Sequence, residues 1–255
     1  MFKGALLDLG GVVFTGDRPL PGAVDAVARL RNSGLALRFL TNITRQPRRS
    51  VVVQLRQMGI DARDAEVLTP AIAARDYLTA HGLHPHLLIH PALAEDFAGL
   101  ESGTADAVVV GDAGKGFTYD ALNTAFRILQ AGAPLLALAR NRSFRDSDSG
   151  LSLDAGPFVV ALEYAAARQA LVFGKPSPDF FHAALASMGC TPHEAVMVGD
   201  DAESDIAGAA AVKMKAVLVR TGKYETGAET AYALPPTYLA DDLAAAADWI
   251  LAGNS

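Results

Sequence analysis

The run Ala5-Leu6-Leu7-Asp8-Leu9-Gly10-Gly11-Val12-Val13-Phe14 constrains the fold more than any other stretch of the chain. Short unbroken apolar runs form strands buried on both faces, the usual case in parallel sheets. Here the run meets a single acid and then turns through two glycines. An acid at the carboxyl end of such a strand sits where open α/β sheets bind ligands. The glycines let the backbone turn sharply and bring its N–H groups close to an anion. Asp8 is therefore a candidate nucleophile or metal ligand. An aspartate in this position also forms turns and caps helices, so the run alone does not assign it a role.

The rest of the chain repeats the strand-then-helix theme. Pro21-Gly22 opens a helix with Val24, Val27, Ala28 and Arg31 at helical spacing, ended by Asn32-Ser33-Gly34. The strand Leu35–Leu40 then ends at Thr41-Asn42, and this strand-helix-strand unit implies a right-handed parallel crossover. Helices are expected around Ser50–Met58 and over Ala71–Ala80, the latter opened by Thr69-Pro70.

Residues 81–171 read as a separate α/β unit. Its expected strands are His86–Ile89, Ala107–Val110 and Leu135–Ala139, and its helices lie near Tyr119–Ala131 and Pro157–Arg168. The polar loop from Arg140 to Gly150 is long enough to be functional or mobile, and Arg140, Arg142 and Arg145 in it could steer an anionic substrate or simply be solvated. The first kind of strand is then expected to return, Ala170–Phe173 ending at Gly174-Lys175-Pro176 and Ala195–Val198 ending at Gly199-Asp200-Asp201. Helices follow over Asp179–Met188 and from Ser204-Asp205, with a strand at Ala216–Val219 and a closing helix Ala240–Leu251.

Composition narrows the function classes. At 255 residues and 51% hydrophobic, the chain can bury a large core as one large domain or two modest ones. A formal net charge of -6 argues against nucleic acid or an anionic membrane as partner. Met1-Phe2-Lys3 leads into the first strand with no signal-peptide pattern, and no bilayer-length stretch escapes interruption by charge. The single Cys190 cannot form an internal disulfide, which fits a reducing cytoplasm.

Four apolar strands thus end in Asp8, Thr41-Asn42, Lys175 and Gly199-Asp200-Asp201. Placed in one parallel sheet, those ends share one edge and one cleft. Two carboxylates, a hydroxyl and an ammonium together suit phosphoryl transfer. Mg²⁺ prefers carboxylate oxygens and water. A lysine and a hydroxyl can hold phosphate oxygens and screen their charge from an attacking carboxylate.

These four segments, in this order, resemble the motifs of the haloacid dehalogenase-like (HAD) phosphatases. Asp8-Leu9-Gly10-Gly11-Val12 is similar to the first, Thr41-Asn42 to the second, Gly174-Lys175-Pro176 to the third and the segment from Gly199 to Ala209 to the fourth. The resemblance covers the whole chain, and the insert is similar to the large cap of the NagD-like branch. It implies a Rossmann-like parallel-sheet core, residues 1–80 and 172–255, with an inserted α/β cap domain, residues 81–171. It implies that Asp8 attacks phosphorus and that Asp8, the backbone carbonyl of Gly10 and Asp200 bind Mg²⁺. Asp205 would orient the metal's surroundings, with help from Asp201. Thr41, Asn42 and Lys175 would hold the phosphoryl group of a small phosphorylated substrate, and Lys175 would offset the charge of Asp8. Pairing of two copies through the cap is implied as well.

One position departs from the pattern. Most of the family has a second aspartate two residues after the nucleophile, acting as general acid and then base. Here that residue is Gly10. Its carbonyl can still serve a metal, but the proton-transfer role is vacant, and such a group contributes roughly 10²–10⁴ in rate. The loss matters least for leaving groups that depart without a proton: pyrophosphate, aryl phosphates, acyl phosphates and N-phosphoryl compounds. The alternative reading is a phosphate-binding or regulatory protein with negligible turnover.

Overall fold

Ala5, Leu6 and Leu7 have no exposed surface, so the first strand, Gly4–Asp8, is covered on both faces as its unbroken apolar run requires. The computed structural model describes residues 1–100, 103–145, 150–230 and 235–253. These residues form two compact units. One comprises Met1–Thr41, Arg49–Leu68 and the chain from Lys175 onward; the other comprises Asn42–Arg48 and Thr69–Gly174.

The first unit is built on a six-stranded parallel sheet. In spatial order its strands are Tyr238–Ala240, Lys215–Val219, Ala195–Gly199, Gly4–Asp8, Ala36–Leu40 and Val67–Leu68. Gly4–Asp8 pairs Leu7 with Val198 on one side and Asp8 with Leu40 on the other. The chain thus leaves this strand toward one neighbour and later returns on the opposite side, which opens a crevice at the carboxyl ends of the central strands. The short edge strands Val67–Leu68 and Tyr238–Ala240 are not expected from the sequence, and the closing helix begins at Leu243 rather than Ala240.

The second unit carries its own parallel sheet, in the order Leu171–Val172, Leu135–Ala137, Ala107–Val110 and Pro85–Leu88. The period-2 alternation of strand side chains divides its core. Val108, Val110, Leu135 and Ala137 face the helices Tyr119–Gln130 and Ala155–Ala166 through Ala125, Leu129, Val159 and Leu162. Ala107, Val109, Leu136 and Leu138 pack on the other side against Ala71, Ala74 and Leu78 of the helix Pro70–His81. That helix belongs with the second unit, where the sequence reading keeps it with the first.

The strand before Lys175 corrects the sequence reading more substantially. Leu171 and Val172 pair with Leu136 and Ala137, so this strand closes the second unit's sheet and does not rejoin the first. A two-residue apolar strand carries no information on which sheet it joins, and here Ala170 and Val172 add to the core around Val110 and Ala137. Of the four strand ends expected to share the first unit's sheet, three do, and Lys175 arrives on the segment that follows the fourth. In the arginine-bearing loop, residues 146–149 and the side chain of Arg145 lie outside the described residues, while an antiparallel hairpin pairs Ser143–Arg145 with Leu151–Leu153.

Candidate active site

Asp8 ends the central strand, and Asp200 follows directly on the adjacent strand Ala195–Gly199. Parallel pairing in register therefore sets the two carboxylates side by side without any long-range adjustment. Asp205 comes up from the helical turns Ala202–Ala211 that follow. The side chain of Asp205 lies against Gly199: a Cβ added there would be 2.2 Å from Asp205 Oδ2, so a residue with no side chain is required. Among the described residues, Asp8, Asp200 and Asp205 are the one group of three ligating side chains within 4.8 Å of one another.

Lys175 joins this cluster. Its ammonium donates to Asp8 Oδ1 at 2.6 Å and to Asp205 Oδ1 at 2.6 Å, and all three residues are buried. Burial by itself would lower the Lys175 pKa, but the charges of Asp205 and Asp8 outweigh it and hold the ammonium protonated. Asp205 also accepts the Asp201 N–H through Oδ2. Burial raises the Asp205 pKa against the pull of Lys175. Both Asp205 oxygens thus have donors, which suits a positioning acid better than a metal ligand.

Asp200 is different. Oδ2 accepts the Lys223 N–H at 2.7 Å, whereas Oδ1 is buried with no hydrogen-bond partner. Burial first, then the charges of Asp8 and Asp205, push its carboxyl well above the ordinary carboxylate range. A buried carboxylate oxygen without a donor, beside a second carboxylate, is costly unless a cation balances it. Hard oxygen donors in this arrangement suit a divalent cation. The residues present therefore fit a metal, with Asp8 and Asp200 as its side-chain donors.

Thr41 is buried at the end of the strand Ala36–Leu40, where its N–H donates to the Leu68 carbonyl. Asn42 belongs to the second unit, as does Arg142, whose residue is exposed just before the hairpin. Arg140 is committed to a bidentate pair with buried Glu163, at 3.1 and 2.8 Å. Gly10 is exposed, and a Cβ added there meets nothing within 4 Å. Asp201 caps the following helical turn, accepting the Glu203 and Ser204 N–H groups, each at 3.0 Å. The sequence reading misses the contribution of Thr221-Gly222-Lys223, because that contribution is made by a backbone N–H and by the absence of a side chain.

This constellation is that of a known class. A profile of the haloacid dehalogenase-like hydrolases matches residues 5–101, and one described as HAD-hydrolase-like matches residues 172–246. The phospholysine phosphohistidine inorganic pyrophosphate phosphatase of Danio rerio is 44% identical over 255 residues, covering 98% of this chain and 94% of that protein. Human haloacid dehalogenase-like hydrolase domain-containing protein 2 is 41% identical over 249 residues, covering 98% and 96%. Among solved structures, a p-nitrophenyl phosphatase from Archaeoglobus fulgidus superposes with a TM-score of 0.91 at 25% identity, covering 97% of this chain and 98% of that one. A glycerol phosphate phosphatase from Mycobacterium tuberculosis, solved with magnesium, superposes with a TM-score of 0.83 at 28% identity, covering 95% and 75%. The chain belongs to the haloacid dehalogenase-like hydrolase family. Within that family it stands among the phosphatases. Among the described residues no helix is long and apolar enough to cross a membrane.

Proposed function

We propose that the chain is a Mg²⁺-dependent phosphatase for activated phosphates, acting through a phosphorylated Asp8. The observation that carries this is the Lys175 ammonium held 2.6 Å from Asp8 and from Asp205, beside the unpartnered Asp200 Oδ1. Asp8, the Gly10 carbonyl and Asp200 would hold the cation, which when bound supplies charge stabilisation to the transferring phosphoryl group. The chain's own residues do the rest. Lys175 screens Asp8 from the phosphate's negative charge and, with Thr41 and Asn42, binds its oxygens. A carboxylate oxygen of Asp8 attacks phosphorus, the bond to the leaving group breaks, and the leaving group departs with its electron pair. Water then attacks the same phosphorus, the bond to Asp8 breaks, and both water protons leave with the released phosphate. Asp8 is again a carboxylate.

Gly10 directs the choice of substrate. No acid stands two residues after Asp8 to protonate the leaving atom, so aryl phosphates, pyrophosphate and N-phosphoryl compounds are favoured over alkyl phosphates. The name of the Danio rerio relative, with its phospholysine, phosphohistidine and pyrophosphate, supports that reading. The inserted unit serves as cap in this account, and Arg142 in it contributes positive charge for an anionic substrate.

Initial rates on p-nitrophenyl phosphate, pyrophosphate and glycerol phosphate, with Mg²⁺ and with a chelator, test the proposal. Turnover should require the metal. The two activated substrates should exceed glycerol phosphate in kcat/KM by roughly 10²-fold. Metal-independent turnover, or glycerol phosphate as the best of the three, would contradict it.

A further inference from the structure

The segment after the strand Lys215–Val219 makes contacts that no step above uses. Thr221 Oγ1 donates to the Gly11 carbonyl at 2.5 Å. Lys223 donates its N–H to Asp200 Oδ2 at 2.7 Å and its ammonium to Asp201 Oδ2 at 3.0 Å. Between them, Gly222 and Gly11 meet backbone to backbone. A Cβ on Gly222 would stand 2.6 Å from Gly11 Cα and 1.9 Å from Asp200 Oδ2; a Cβ on Gly11 would stand 2.7 Å from Gly222 Cα and 2.1 Å from the same oxygen. Both glycines have positive φ, 83° at Gly11 and 60° at Gly222, so two independent constraints exclude a side chain at each.

We propose that Thr221-Gly222-Lys223 is a clamp that positions the metal ligands. It engages Asp200 Oδ2, which would leave the unpartnered Oδ1 for the cation, and it ties down the loop that carries the Gly10 carbonyl through its neighbour Gly11. The inference rests on the metal reading above. Its contacts run to Gly11, Asp200 and Asp201, so it would act through these residues, as a set of positioning residues. Partners that orient metal ligands typically change affinity by 10–100-fold when lost.

Mg²⁺ alone is titrated calorimetrically into the full chain, as wild type, Thr221→Val and Thr221→Ser, and the unfolding temperature of each metal-free protein is measured. Thr221→Val removes the hydroxyl at nearly constant volume. It should weaken Mg²⁺ binding roughly tenfold while the metal-free unfolding temperature stays near wild type, and Thr221→Ser should restore the affinity. If Thr221→Val does not fold, Thr221→Ala carries the same expectation. Wild-type protein that binds Mg²⁺ and a folded variant that binds it equally well overturn the clamp alone. Wild-type protein that binds no Mg²⁺ overturns the metal reading and the clamp with it.

Discussion

The Lys175 ammonium lies 2.6 Å from Asp8 Oδ1, although the two residues are 167 positions apart and Lys175 does not follow a strand of the same sheet. The contact joins the candidate nucleophile to a cation buried with it. Replacing the lysine leaves three crowded carboxylates without the ammonium that bridges Asp8 and Asp205. Lys175→Met should cost about 3–5 kcal/mol of stability in metal-free protein, and added Mg²⁺ should recover part of it. Denaturant titration with and without Mg²⁺ measures both. An unchanged midpoint would mean that the cluster is not held by this lysine.

Asp205 takes the Lys175 ammonium on one oxygen and the Asp201 N–H on the other, and it is fully buried. Asp205→Asn keeps the shape but loses the charge and replaces an acceptor with a donor. It should lower kcat by roughly 10–10²-fold and raise KM for p-nitrophenyl phosphate only a few-fold, because Lys175 loses its orientation while Thr41 and Asn42, which bind the phosphate with it, keep theirs. A selective rise in KM would assign Asp205 to substrate binding.

The raised pKa of Asp200 gives a pH dependence with a definite sign. A carboxyl raised in the folded state binds more protons folded than unfolded, so stability falls as pH rises above the ordinary carboxylate range. Metal-free protein should therefore lose stability on going from mildly acidic to neutral pH. Mg²⁺ should flatten that slope, since the cation replaces the proton. Unfolding temperatures across this range, with a chelator or with Mg²⁺, provide the check; a metal-free slope of the opposite sign would contradict it.

Gly10 and Gly11 are adjacent, but only Gly11 has positive φ, and only at Gly10 does an added Cβ meet open space. Gly10→Asp should therefore fold and bind Mg²⁺ normally. If the vacant acid limits turnover, the variant should raise kcat/KM for glycerol phosphate toward the roughly 10²-fold lower end of general acid effects, and for p-nitrophenyl phosphate far less. An unchanged alkyl-to-aryl ratio would mean that the missing acid is not at this position. Gly11→Ala, by contrast, should lose metal binding.

Asp8 and Asp200 were legible in the sequence because each follows a continuous apolar strand, and parallel pairing in register leaves such ends nowhere else to go. The Lys175 strand was not. Leu171 and Val172 suit either sheet equally, and their partners Leu136 and Ala137 are chosen by packing that lies far away in sequence. The helix Pro70–His81 poses the same problem, since Ala71 and Ala74 do not specify which sheet they cover. The part of Thr221-Gly222-Lys223 in the site was not legible for another reason: its work is done by one backbone N–H, one hydroxyl and the missing Cβ of Gly222, none of which leaves a periodic trace.

The central claim is that Asp8 itself receives the phosphoryl group, and it can be observed directly. Protein turning over p-nitrophenyl phosphate with Mg²⁺ is quenched in acid, digested, and the mass of the peptide containing Asp8 is measured. With no acid-base group at Gly10 to activate water, the second step should be slow and the phosphorylated form should accumulate. The account predicts that peptide heavier by one phosphoryl group, with the modification on Asp8, lost on treatment with hydroxylamine and absent from Asp8→Asn, which should be inactive. A phosphoryl group on any other residue, or substantial turnover by Asp8→Asn, would contradict it.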